Sequence, residues 1–128
     1  MAVKGRMTMK ISEIAERSGL SIATIRYYER SGLCMPVARG ADRQRRFSTN
    51  DLDWLTLLAS LRETGMPMSE MREFAALYRE GDKTVPIRKA MLMAHARRLD
   101  ARQAELDRCK NLLAFKLARY DDIIGDLP

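Results

Sequence analysis

The sequence predicts a mainly α fold, and three observations carry that reading. Two short helical patterns joined by a turn lie between Ile11 and Arg30. Leucines recur every three residues from Leu52 to Leu61. From Thr84 onward a proline in the first turn is the last helix breaker before Gly125, and an apolar residue returns at every seventh position. Helical periodicity is lost between Leu33 and Phe47.

The first helix is expected over Ile11 to Ser18, with Ile11, Ile14 and Ala15 on one face. Gly19 suits the left-handed residue that closes a helix. Ser21 suits the N-cap of the next helix, which runs from about Ile22 to Ser31 with Ile25 and Tyr28 inward. Gly32 ends it. The segment Leu33 to Phe47 is broken by Pro36 and Gly40 and carries Arg39, Arg43, Arg45 and Arg46. Its length fits a β-hairpin wing; a disordered basic loop is the alternative. Ser48 or Asn50 caps the next helix, whose buried face is Leu52, Leu55, Leu58 and Leu61 and which stops at Gly65. Ser69 starts a shorter helix with Met71, Phe74, Ala75 and Leu77, ending near Gly81. Together these elements make an N-terminal winged helix-turn-helix followed by a helical pair, over residues 9–80.

Residues 81–128 form a linker and one long C-terminal helix. Pro86 is tolerated in a first helical turn, and about 40 helical residues span about 60 Å. Val85, Leu92, Leu99, Leu106, Leu113 and Tyr120 make a heptad stripe, while the offset positions His95, Arg102, Cys109 and Lys116 are less apolar. One stripe on so long a helix exceeds what the preceding domain can cover. It calls for a partner helix, most simply that of a second copy, which makes the stripe a coiled-coil dimerisation surface and the chain a homodimer. A helix folded back on its own domain is the alternative.

Charge divides the chain the same way. Residues 1–50 hold 10 Lys/Arg and 4 Asp/Glu, a balance of +6, whereas residues 51–128 hold 13 of each. A basic part joined to a neutral one is expected where one meets phosphates and the other meets protein. No apolar run reaches the roughly 20 residues that cross a bilayer, and the N-terminus lacks the apolar core of a signal peptide. A cytoplasmic protein with no membrane partner is expected, its two cysteines, Cys34 and Cys109, present as thiols.

In a helix-turn-helix the second helix enters the major groove of double-stranded DNA and its first turns meet base edges. That assigns Ser21, Ala23 and Thr24 to base edges or nearby phosphates, with Arg26 and Tyr27 one turn on. Arginine holds a phosphate or a guanine edge at two points, and a tyrosine hydroxyl donates to phosphate. Ser21 has an equal reading as a cap alone. Arg17 is placed on the flanking backbone. The wing arginines Arg39, Arg43, Arg45 and Arg46 suit a minor groove or its phosphate walls.

Taken together these residues resemble MerR-type bacterial transcription regulators over nearly the whole chain. The resemblance lies in Ile11-Ser-Glu-Ile-Ala, Thr24-Ile-Arg-Tyr-Tyr-Glu29, Gly32-Leu33, Arg46-Phe47-Ser48, Asp51-Leu52 and Leu61-Arg62-Glu-Thr-Gly65-Met. It implies a homodimer held by an antiparallel coiled coil of the long helices. It also implies a promoter with an overlong spacer, which the effector-bound dimer untwists and bends so that RNA polymerase can use it. The segment Tyr78 to Arg88 looks like the branch linked to aldehyde and nitrosative stress. Where some of that branch carry a sensing cysteine, this chain has Ser60. In the wing, Arg43-Gln44 replaces the Gly-Tyr that the family often places before the arginine matching Arg45.

No cofactor is expected. The family's metal sensors pair cysteines around a loop after the long helix, which this chain lacks, so no metal site is expected. Cys34, at the start of the wing, is a candidate oxidation-sensitive thiol, with burial as a small hydrophobe the more ordinary reading. The runner-up function is a DNA-architectural protein of the excisionase kind, without an effector; the long dimerisation helix favours the regulator. A thiol enzyme needs a base beside its nucleophile, and the single histidine, His95, lies about 60 residues from Cys34, so no enzyme is expected. The effector is a small molecule that these residues leave open.

Overall fold

The computed structural model describes residues 8–34, 40 and 46–128. Two compact units divide the chain, residues 1–89 and residues 90–128. The elements run β1 (Thr8–Met9), α1 (Ile11–Ser18), α2 (Ile22–Arg30), β2 (Phe47–Ser48), α3 (Thr49–Glu63), α4 (Met68–Arg79), a 3-10 turn (Asp82–Thr84) and α5 (Val85–Gly125). The mainly α expectation holds. The hairpin expected of the wing falls outside the described residues. The last residue of that segment, Phe47, belongs to β2, which pairs antiparallel with β1 so that Thr8 faces Ser48 and Met9 faces Phe47. Strand β1 has no counterpart among the expected elements, because two residues carry no periodicity.

The first unit is built around the apolar faces of four helices. Ile14 of α1, Ile25 and Tyr28 of α2, Leu55 and Leu58 of α3 and Met71 and Phe74 of α4 are buried, together with Met9 and Phe47 of the small sheet. Leu61 is also buried, while Leu52, at the start of the expected leucine face, is half-buried. Helix α1 ends because Gly19 adopts φ 79° and returns its amide to the Ala15 carbonyl. An added Cβ there would meet no atom within 4 Å, so the glycine serves backbone conformation and not space.

Helix α3 starts at Ser48. The Ser48 Oγ accepts from the Asp51 amide at 3.1 Å, and the Asp51 carboxylate accepts from the Ser48 amide at 2.7 Å. This reciprocal pair satisfies two of the orphan donors of a helix start. Helix α4 differs from expectation at its start: its N-cap is Pro67, not Ser69, which lies within the first turn. Pro67 has φ −60° and ψ 146°, an extended cap geometry that the ring favours. The long helix begins one residue after the expected Thr84. The Thr84 hydroxyl donates to the Leu77 carbonyl at 2.6 Å, and Arg88 Nε donates to Thr84 Oγ1 at 2.9 Å. The end of α4 and the first turn of α5 are thereby tied together.

The second unit is the remainder of α5, from Ala90 onward. Leu106, Leu113 and Tyr120 of the stripe are exposed, and Val85, still in the first unit, is exposed as well; Leu92 and Leu99 are half-buried. Further apolar side chains in the last two-fifths of the helix are exposed too: Leu112, Phe115, Leu117, Ile123 and Ile124. Leu117 and Ile124 follow Leu113 and Tyr120 by four residues, the same helical face, so the stripe is two columns wide there. The offset positions that stand out in the sequence lie three residues on, which hides the second column.

Candidate nucleic-acid interface

Helix α2 presents two opposed faces. Ile25 and Tyr28 are sealed in the core, whereas Ala23, Arg26 and Tyr27 are exposed and Thr24 is half-exposed. Tyr27 and Tyr28 are neighbours with ring centroids 6.2 Å apart, yet Tyr27 is 41% exposed and Tyr28 fully buried. The helical step of about 100° separates them. A cation, a phenol and a hydroxyl therefore share one open face, next to the turn that starts the helix.

That turn settles the geometry of Ser21. Its Oγ accepts from the Thr24 amide at 3.0 Å and donates to Thr24 Oγ1 at 2.8 Å. Ser21 is thus the N-cap, and its hydroxyl hydrogen is committed to Thr24. The Thr24 hydroxyl keeps its own hydrogen for an outside acceptor, and the positive end of the helix lies beside it. Arg17, at the end of α1, lies 3.6 Å from Glu13 and 3.4 Å from the Met9 sulfur, with half of its side chain still exposed.

Two later helices hold the exit of α2. Trp54 Nε1 of α3 donates to the Leu33 carbonyl at 2.8 Å, and the Arg79 guanidinium of α4 donates to the Gly32 carbonyl. Sequence reasoning picks out neither residue, since a side chain bonding a distant carbonyl has no local pattern. Gly32 has φ 80°, and the Leu33 amide turns back to the Tyr28 carbonyl at 2.8 Å. The chain leaves α2 toward the wing segment in a direction set by α3 and α4. Of the wing arginines, Arg46 is half-buried beside β2, while Arg39, Arg43 and Arg45 lie outside the described residues. Cys34 is buried at the end of the α2 exit, and Cys109 is exposed on α5.

This arrangement is matched by the family model for MerR HTH regulatory proteins over residues 9–77. The chain belongs to that family. A second model, for the DNA-binding region of MerR proteins, matches residues 52–114. This MerR-family chain is a DNA-binding transcriptional regulator. It is 37% identical over 114 residues to an uncharacterised HTH-type transcriptional regulator of Haemophilus influenzae, a match covering 89% of this chain and 84% of that one. It is also 37% identical, over 71% of its own length and 65% of the relative's, to the HTH-type transcriptional regulator AdhR of Bacillus subtilis. Among solved structures it is similar to HiNmlR, a MerR family regulator lacking the sensor domain, bound to promoter DNA. That likeness has a TM-score of 0.81 at 35% identity and covers 94% of this chain and 95% of the other. Among the described residues no helix is long and apolar enough to cross a membrane.

Proposed function

We propose that the chain works as a homodimer on promoter DNA, with residues 9–80 reading the duplex and residues 81–128 joining the two copies. In this reading α2 enters the major groove. Arg26 and Tyr27 meet a base edge or phosphate, Thr24 donates to phosphate, Ala23 lets the helix approach closely, and Ser21 fixes the cap. Arg17 contacts flanking phosphates, and the wing arginines Arg39, Arg43, Arg45 and Arg46 track the backbone or the minor groove. The dimerisation stripe is Val85, Leu92, Leu99, Leu106, Leu113 and Tyr120. Two copies related by a twofold axis meet half-sites about 34 Å apart or a multiple of it. Distortion of the intervening duplex then makes the promoter usable by RNA polymerase, in response to a stress signal. The proposed activity is binding, and no catalytic step belongs to it. Support for the stress assignment comes from the Tyr78–Arg88 segment, which resembles the aldehyde and nitrosative-stress branch of the family.

The observation that carries the reading is the division of α2 into a sealed face and an open cationic one. Its test is Arg26→Ala, measured against DNA selected by the wild-type protein. Affinity should fall by about tenfold or more, the loss of about 1–3 kcal/mol expected for a base-contacting arginine. The salt dependence discriminates further: a slope reduced by about 1.8, two phosphates per dimer at about 0.9 each, marks a phosphate contact, and an unchanged slope a base contact. Unaltered affinity would remove Arg26 from the interface.

A further inference from the structure

The segment between Leu33 and Phe47 carries Arg39, Arg43, Arg45 and Arg46, and one turn of α3 holds both of its flanks. After it, the Asp51 carboxylate accepts from the Ser48 amide at 2.7 Å. Before it, Trp54 Nε1 donates to the Leu33 carbonyl at 2.8 Å. Asp51 and Trp54 are three residues apart, neighbours on one face of the helix. We propose that Trp54 is a positioning residue for DNA binding: through the Leu33 carbonyl it aims the arginine-bearing segment at the duplex, without meeting DNA itself. The inference rests on the reading of those arginines as DNA contacts.

Two successive carbonyls carry it. Leu33 is fully buried, so its place in the fold needs no hydrogen bond. Burial fixes where a residue sits, whereas a bonded carbonyl fixes the peptide plane beyond it. The Arg79 guanidinium of α4 donates to the Gly32 carbonyl, and Trp54 donates to the next one. Two consecutive peptide planes are thereby fixed, and with them both backbone torsions of Leu33. A rotation at that point is carried through the whole segment that follows. With its direction set in advance, less conformational freedom is lost when the arginines meet phosphate.

Neighbouring rings hold the indole in place. Trp54 stacks on Tyr78 at 4.4 Å and on Phe74 at 5.5 Å between centroids. With Asn50, Asp53, Leu57 and Tyr78 it lines an open aromatic groove of about 230 Å³. Because the groove is open, a smaller ring at position 54 leaves no sealed cavity. The stack does not require the indole N–H, and that group alone donates to Leu33.

The test removes that N–H in the full-length protein, by Trp54→Phe and by replacing the indole with its benzothiophene isostere, which keeps the ring shape. Affinity for DNA selected by the wild-type protein should fall about tenfold in both, the scale of one carbonyl left without its donor. The salt slope should fall by about 1.8, one phosphate per copy at about 0.9 each, although no charge has left the protein. In an Arg39→Ala, Arg43→Ala, Arg45→Ala background the same changes should cost less than about twofold, whereas in an Arg26→Ala background they should keep their full effect. Equal losses in both backgrounds, with a wild-type salt slope, would make Trp54 a residue of the fold alone and overturn the proposal. Wild-type affinity in both Trp54 variants, with the triple arginine variant defective, would overturn the positioning while the arginine contacts stand. A triple arginine variant that binds as the wild type does would remove those contacts, and the positioning with them.

Discussion

Tyr27 and Tyr28 are adjacent and chemically alike, and the helix gives them opposite tasks. Tyr27 keeps its phenol on the open face of α2, while Tyr28 is buried with an Oη that has no hydrogen-bond partner among the described residues. An unpaired buried hydroxyl costs about 1–3 kcal/mol of desolvation. Tyr28→Phe should therefore leave Tm unchanged or raise it in thermal unfolding, with DNA affinity retained; a clear fall in Tm would mean that the hydroxyl is satisfied. The inward turn of Tyr28 is legible in the sequence, because helical spacing from Ile25 places it there. The dual use of Ser21 and Thr24 is not, since whether Ser21 caps, contacts phosphate or does both depends on which atom its hydroxyl hydrogen meets, here Thr24 Oγ1 at 2.8 Å.

Among elements, α3 is the one on which the reading head depends. It starts at the end of β2, capped by Ser48, and further along it places Trp54 on the Leu33 carbonyl. The capping pair with Asp51 therefore fixes both the helix and the end of β2. Ser48→Ala removes the acceptor of the Asp51 amide and should cost about 1 kcal/mol, roughly 4–8 °C in Tm for a domain of this size. An unchanged Tm on calorimetry would show that the cap is dispensable. Helix boundaries set by glycine or by a hydroxyl cap are readable along the chain. Two features escape: β1, too short for a pattern, and the Pro67 start of α4, where backbone geometry replaces a side-chain cap.

For the whole molecule the exposed heptad stripe is the decisive feature. Leu106 and Leu113 are more than half exposed, and Leu117 and Ile124 beside them are more exposed still. Apolar patches of that extent mark a surface that meets protein. Replacing Leu99 and Leu106 together by Glu should convert dimers to monomers in sedimentation and lower affinity for a two-half-site promoter far more than for a single half-site, because the linked second binding event is lost. Persistent dimers would contradict the coiled-coil assignment.

Local pattern in this chain determined the helices, the glycines that end them, the basic half and the family, because each depends on residues a few positions apart. Helical spacing by itself also separates Arg26 and Tyr27 from Ile25 and Tyr28. Only the tertiary structure decided what holds the exit of the reading helix and where the aromatic groove lies. Trp54 and Leu33, Arg79 and Gly32, and Trp54 and Tyr78 come together across 21 to 47 positions of sequence. Contacts over such separations arise from packing, and no periodicity along the chain encodes them.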